Sequence, residues 1–256
     1  MKSYNQYNKL KVTHIFHSGV IVETEKNLLI IDYYYEKDAL NKKELLVYLK
    51  QQAHKDFYYF VTHGHADHFT DEIFDPPYQS SKSNTRYILS EDLVSYKNSH
   101  PNTTLCRPYQ SFNVGGLSIT TFGSTDLGVS YLIKDNSCDA LIFHSGDLNW
   151  WHWSHFTPDE QLQEKKDFLE ELQKLKDYIV QRKVILDIAF VPVDPRLKEF
   201  YQLAANAFLK EIQPKKMFPL HFREHYKITK KFKEQCSVPD KFESVAHSME
   251  TYSLQD

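Results

Sequence analysis

Residues 57–69 read Phe57-Tyr58-Tyr59-Phe60-Val61-Thr62-His63-Gly64-His65-Ala66-Asp67-His68-Phe69. The first six are aromatic or β-branched and uncharged, which predicts a buried strand. Gly64 then lets the backbone leave the sheet and turn sharply. In extended backbone, residues two apart point the same way, so His63 and His65 address one point in space. Asp67 and His68 follow on the turn and address a second point close by. Imidazole and carboxylate are the donors that zinc and similar cations take. The spacing therefore predicts two adjacent metal ions, not one.

Around this stretch the chain alternates strands with helices and places chemistry-bearing residues at strand ends. Residues 10–15 and 20–23 read as strands joined by the turn His17-Ser18-Gly19, and 28–31 as a more buried strand ending at Asp32. A helix over 41–52 with the stripe Leu45, Leu46 and Leu49 suits a crossover into the histidine-bearing strand. A loop is predicted over 75–85, a hairpin turn at Gly115-Gly116, and strands at 118–122, 128–133 and 140–143. Thr157-Pro158-Asp159-Glu160 is a helix start, with Thr as N-cap and Glu closing a capping box. That helix should run to Arg182 with a core stripe of Leu162, Leu169, Leu172, Leu175 and Ile179. A strand over 184–191, a helix over 198–212 and a strand over 216–220 complete the pattern.

His-x-His-x-Asp-His at the end of a buried strand resembles the metallo-β-lactamase superfamily of metal-dependent hydrolases. The resemblance implies an α/β fold, a four-layer αββα sandwich of mixed sheets flanked by helices, with metals at one edge. A single such domain over residues 1–256 is the expectation. The opening strands, with His17-Ser18-Gly19 in the turn and Asp32 at a strand end, look closest to the branch containing L-ascorbate 6-phosphate lactonase. By that resemblance Asp32 accepts hydrogen bonds beneath the metals, although it reads equally as an ordinary strand-end carboxylate.

The resemblance also implies further ligands. Asp147, in Ser145-Gly146-Asp147, matches the aspartate that bridges both metals, and His221 matches the last histidine. His144 stands just behind Asp147. The superfamily's middle histidine is missing, and Gly123-Ser124-Thr125-Asp126 stands in its place. Asp126 ranks first as a replacement, because an oxygen donor is compatible with zinc or manganese. Two alternatives stay open: His144 or His152 swings in, or the first site is weak and only Asp67, His68, His221 and Asp147 hold a metal tightly.

The activity implied is hydrolysis with two divalent ions, zinc first and manganese or iron as alternatives, lowering the pKa of a water. Asp67 would orient that water and Asp147 fix the metal separation. Iron redox chemistry is disfavoured, since that branch carries Glu where His65 stands. Trp150, Trp151 and His152 follow Asp147 closely and are expected at the substrate pocket, with Trp153 beside them. His152 and His155 are candidate acids for the leaving group. A small ester, lactone or phosphoester is the expected substrate. The competing readings are a nuclease or phosphodiesterase, and a non-catalytic binding protein with an incomplete metal site.

Bulk composition narrows this further. The chain has 256 residues, 41% hydrophobic and 25% charged, which suits one large soluble domain. Its 31 basic and 34 acidic residues give a net charge of −3, which argues against a nucleic-acid surface. The basic run from Lys227 to Lys233 reads as a solvated helix face. Cys106, Cys138 and Cys236 are too scattered for a C-x-x-C motif and read as free thiols. The first six residues lack the apolar core of a leader, and no apolar run approaches membrane length, so a cytoplasmic location is expected. The expected partner is a small-molecule substrate, without a membrane; self-association into a homo-oligomer is left open.

Overall fold

The computed structural model describes residues 10–35, 41–79 and 84–254. The N-terminal stretch judged above to lack a leader, and residues 80–83 of the predicted loop, lie outside the described residues. Strands β1 (Leu10–Phe16), β2 (Gly19–Glu23) and β3 (Asn27–Ile31) form an antiparallel meander. Helix α1 (Asn41–Gln51) crosses over so that β4 (Asp56–Val61) runs parallel to β3. Strands β5 (Thr85–Ser90) and β6 (Thr103–Cys106) extend this sheet in parallel.

A second sheet begins with β7 (Ser111–Val114), β8 (Leu117–Phe122), β9 (Ser130–Asp135) and β10 (Ala140–His144), all antiparallel. Helix α2 (Pro158–Arg182) leads to β11 (Ile188–Pro192), and α3 (Leu203–Glu211) leads to β12 (Lys216–Leu220). Both strands lie parallel to their neighbours, as helix crossovers require. After α4 (Tyr226–Gln235), strand β13 (Thr251–Leu254) returns to pair with β1 and closes the first sheet's edge. The result is a seven-stranded and a six-stranded mixed sheet.

The side-chain alternation of β4 shows how the layers are built. Tyr58 and Phe60 face the second sheet, in a core with Val22, Ile31, Tyr131, Ile142 and Phe190. Phe57, Tyr59 and Val61 face the other way, packing with Leu45 and Leu49 of α1. Burial on both faces explains why the strand reads as an unbroken apolar run. On the far side of the second sheet, α2 and α3 pack against Phe143, Ala189 and Val191. Helix, sheet, sheet and helix thus stack as the αββα sandwich expected. Among the described residues, no helix is long and apolar enough to cross a membrane.

Helix α2 starts as its sequence predicts, with the reciprocal Thr157–Glu160 capping box in place. Its inward face differs in its first turns. Leu162 and Leu169 are exposed and Phe168 and Glu171 are buried in their place, while Leu172, Leu175 and Ile179 are buried as the stripe predicts. The strand predicted from 184 begins at Ile188, leaving Val184 and Ile185 exposed in the connection. The helix predicted from 198 is broken by Lys198, whose φ of 53° is left-handed, so α3 starts only at Leu203.

Two buried polar groups pin the sheets together. Asp135 of β9 accepts hydrogen bonds from Thr24 Oγ1 at 2.9 Å and Asn27 Nδ2 at 2.8 Å, across the interface. The Tyr131 hydroxyl donates to the carbonyl of Val61 at 2.8 Å, beside the residues that lead into the histidine cluster. Tyr131→Phe should therefore lower stability by about 1 kcal/mol. The urea midpoint should fall with an unchanged slope; an unmoved midpoint would show that the bond contributes nothing.

Candidate metal centre

Parallel strands deliver their C-terminal ends to one edge of the sandwich. Asp32 follows β3, His63 follows β4, Asp147 follows β10, and His221 follows β12; His17 occupies the β1–β2 turn. The backbone here is strained. His17, Asp32, His221 and Arg223 have φ of 56°, 49°, 65° and 46°, left-handed values that cost non-glycine residues roughly 1–3 kcal/mol each. Gly128 packs so tightly that a Cβ would sit 2.0 Å from the Thr62 carbonyl, which requires glycine there. Such strain persists only where surrounding packing over-determines it, and here it surrounds one constellation.

Two clusters of metal-donor atoms form. His63, His65, Asp126 and Asp147 make one; His17, Asp67, His68 and His221 make the other, and within each the donor atoms lie within 4.8 Å of one another. Asp147 stands between them. Its Oδ1 lies 3.1 Å from His68 Nε2 and 3.4 Å from His221 Nε2, and its Oδ2 lies 3.7 Å from His63 Nε2. Among the described residues, His63 Nε2, His68 Nε2, both ring nitrogens of His17 and Asp147 Oδ1 are buried without a hydrogen-bond partner. Buried polar atoms are normally satisfied, and orphans concentrated at one point fit divalent cations. The donor set of nitrogen and carboxylate oxygen suits zinc, manganese or iron.

Asp126 occupies the place left by the missing histidine, with Oδ2 at 3.7 Å from His65 Nδ1. Its loop is held from two sides. Gly123 N–H donates to buried Glu171 at 3.0 Å, and the Thr125 hydroxyl donates to the Asn149 carbonyl at 2.6 Å. His144 has no nitrogen to spare. Nε2 faces the Ser18 carbonyl at 3.0 Å, and Nδ1 accepts from Gly146 N–H at 3.1 Å. His152 packs against Phe200 at 4.2 Å between ring centroids and joins neither cluster.

Behind the donors, carboxylates fix the tautomers. Asp32 is wholly buried and accepts from Thr62 N–H at 2.8 Å, the Thr62 hydroxyl at 2.7 Å and His68 Nδ1 at 2.8 Å. Because Thr62 spends its proton on Asp32, its oxygen must accept from His63 Nδ1, 3.0 Å away. One carboxylate thereby turns the Nε2 lone pairs of two histidines toward the clusters. Asp194 does the same for His221, facing Nδ1 at 3.0 Å. Asp92 anchors the turn between His63 and His65 by accepting Gly64 N–H at 2.7 Å.

Charge balance points the same way. Burial disfavours an imidazolium at His68, yet Asp147 and Asp32 on either side raise its pKa to about 10. Burial likewise works against ionised Asp147, and His221 and His68 nevertheless hold its carboxyl well below the usual range. The carboxylates thus demand positive charge at this point. Burial lowers His17 to about 4, which keeps the ring neutral and one nitrogen free to donate its lone pair, as a metal ligand requires.

The centre opens into a cleft of about 380 Å³, lined among others by Asp126, Trp151, Trp153, Glu164 and Arg196. Of the pocket residues expected from sequence, Trp151 is present. Trp150 instead stacks on Phe168 of α2 at 6.0 Å, and neither it nor His152 lines the cleft; Trp153 does. Sequence reading also missed His17, Asp194 and Arg223. His17 looked like a turn residue, and Arg223, which donates to Asp67 at 2.9 Å, lies far from its partner in sequence. Asp194 had a usable signal, a strand-end carboxylate like Asp32.

No family model matches the chain. By structure it is similar to Igni18, a metallo hydrolase from the hyperthermophilic archaeon Ignicoccus hospitalis (TM-score 0.64, 17% identity, 97% of this chain and 99% of that one). It is also similar to YhfI, a metallo-β-lactamase fold protein from Bacillus subtilis (TM-score 0.59, 15% identity, 96% and 99%). The short form of human tRNase Z matches at a TM-score of 0.53 and 12% identity, over 95% and 98%. These likenesses establish the metallo-β-lactamase fold.

Asp32→Asn keeps the shape but removes the charge that orients His63 and His68. Zinc affinity should fall by roughly 10–100-fold, measured by competition with a chromophoric chelator. Undiminished affinity would show that Asp32 does not orient these ligands.

Proposed function

We propose that the chain is a hydrolase that uses two divalent metal ions to cleave a small ester, lactone or phosphoester. The observation that carries this reading is the convergence of orphaned buried donor atoms on two clusters sharing Asp147, at the floor of an open cleft. Bound there, two dications supply Lewis acidity, lowering the pKa of water toward ~7 and polarising the oxygen that gains charge.

The protein's own groups do the rest. Asp147 directs one oxygen to each cluster and so fixes their separation. Asp67 reaches toward the second cluster while Arg223 donates to its Oδ2 at 2.9 Å, which leaves the other oxygen to orient a water. Asp32, Thr62 and Asp194 hold ring protons on the Nδ1 side, so His63, His68 and His221 present lone pairs without rearrangement.

The clusters differ in character. His17, His68 and His221 are buried and give the second cluster three imidazoles. His65 and Asp126 are 49% and 44% exposed, and the first cluster has two imidazoles and two carboxylates. The first metal is therefore the weaker one for zinc, and harder ions such as manganese suit it better. A small substrate fits the cleft's size, and the acidic net charge supports a small molecule over the nucleic acid implied by the tRNase among the structural neighbours.

Zinc titration of the metal-stripped protein should show two steps. Asp126→Ala should abolish or weaken the looser step, and His17→Ala the tighter one. The loaded protein should turn over some member of a panel of lactones, esters and phosphodiesters, and Asp147→Asn should reduce kcat/KM by about 10³-fold or more. Full activity after exhaustive chelation would contradict the reading.

A further inference from the structure

One wall of the cleft presents hydrogen-bond donors that lack acceptors. Arg196 is held bidentately by Asp194, with Nε at 2.9 Å and Nη2 at 2.6 Å from Oδ2. Nη2 also lies 3.1 Å from His221 Nδ1, but that nitrogen's proton faces Asp194, so no hydrogen bond joins the two. The two Nη1–H groups have no partner among the described residues, and the side chain is 48% exposed in the cleft. Arg196 lies alongside two tryptophans, 5.5 Å from the Trp153 ring and 6.0 Å from the Trp151 ring. Their indoles are parallel within 2° at 5.8 Å. Trp151 is only 7% exposed, and its Nε1–H has no acceptor among the described residues.

A buried N–H without a partner costs about 1–3 kcal/mol, and a guanidinium fixed on one edge offers the other to a planar oxyanion. Asp194 holds the guanidinium in place, so little side-chain freedom is lost on binding. We infer that Arg196 and Trp151 form an anion subsite, which takes a carboxylate or phosphate borne by the substrate away from the bond that is cleaved. The four carboxylates lining the cleft, Asp67, Asp126, Asp147 and Glu164, do not forbid this. Three of them are metal donors, so two dications and Arg196 outweigh them all. The subsite rests on the hydrolase reading for its role in turnover, but anion binding does not.

The test uses zinc-loaded protein and two readouts. All three tryptophans lie between residues 150 and 153, so tryptophan emission, excited selectively over the tyrosines, reports on this region alone. Glutarate and 3-phosphonopropionate should each perturb the emission saturably, the tighter one identifying the preferred anion, and neutral 1,5-pentanediol should not. Arg196→Gln should weaken this binding by roughly tenfold or more, and Arg196→Lys by less. For turnover, the p-nitrophenyl monoesters of glutarate and 3-phosphonopropionate are compared with neutral p-nitrophenyl valerate. Wild type should favour an anionic ester by about tenfold in kcat/KM, and Arg196→Gln should erase that preference through KM with zinc content retained. If Arg196 only props Asp194 and His221, the variant will slow neutral and anionic esters equally, and the subsite is overturned. Absence of anion-dependent fluorescence also overturns it, whatever is hydrolysed. Anion binding lost in Arg196→Gln but without turnover of any ester upholds the subsite and sinks the hydrolase reading instead.

Discussion

Asp147 is a carboxylate buried among imidazoles, with one oxygen lacking any hydrogen bond among the described residues. A buried charge is tolerated only when matched, and breaking such a match typically costs several kcal/mol. His63, His68 and His221 surround it, and each has its far nitrogen tied down by Thr62, Asp32 or Asp194. Rotating these rings to satisfy Asp147 would sacrifice the bonds behind them. The arrangement is therefore preorganised for cations between the rings, and the strained backbone at His17, Asp32 and His221 is part of the cost of holding it.

The architecture serves this point. Parallel β3, β4, β10, β11 and β12 end at the same edge, where side chains from distant parts of the sequence meet without a long loop. Cross-sheet bonds from Tyr131 and Asp135 fix how the two sheets face each other, and so the spacing of what they carry. The same fold carries different activities in different proteins, so function here rests on the donor set and the cleft, not on the layers.

Much of this was legible in the sequence wherever neighbours in sequence are neighbours in space. Residues 57–68 announce a doubly buried strand and a metal-donor turn within one short window. The Thr157 capping box places the start of α2, and Asp126 could be nominated because it occupies the position of an expected ligand. What failed to show depends on distant partners. His17 reads as a turn residue until β12 brings His221 beside it. Leu162 and Leu169 fit the same helical stripe as Leu172 and Leu175, yet the sheet beneath α2 engages Phe168 in their place. Edge strand β6 lacks the alternation that would reveal it, and β13 alternates over only four residues. Trp150 and Trp151 are adjacent, and only the local backbone decides which of them enters the cleft.

The central claim is that two cations sit on either side of the Asp147 carboxylate. Crystals grown with zinc and measured above and below its absorption edge test this most directly. The account predicts two anomalous peaks, one among His63, His65, Asp126 and Asp147, the other among His17, Asp67, His68, His221 and Asp147. Fully stocked zinc with no peak at either cluster, or a peak only elsewhere on the protein, would contradict it.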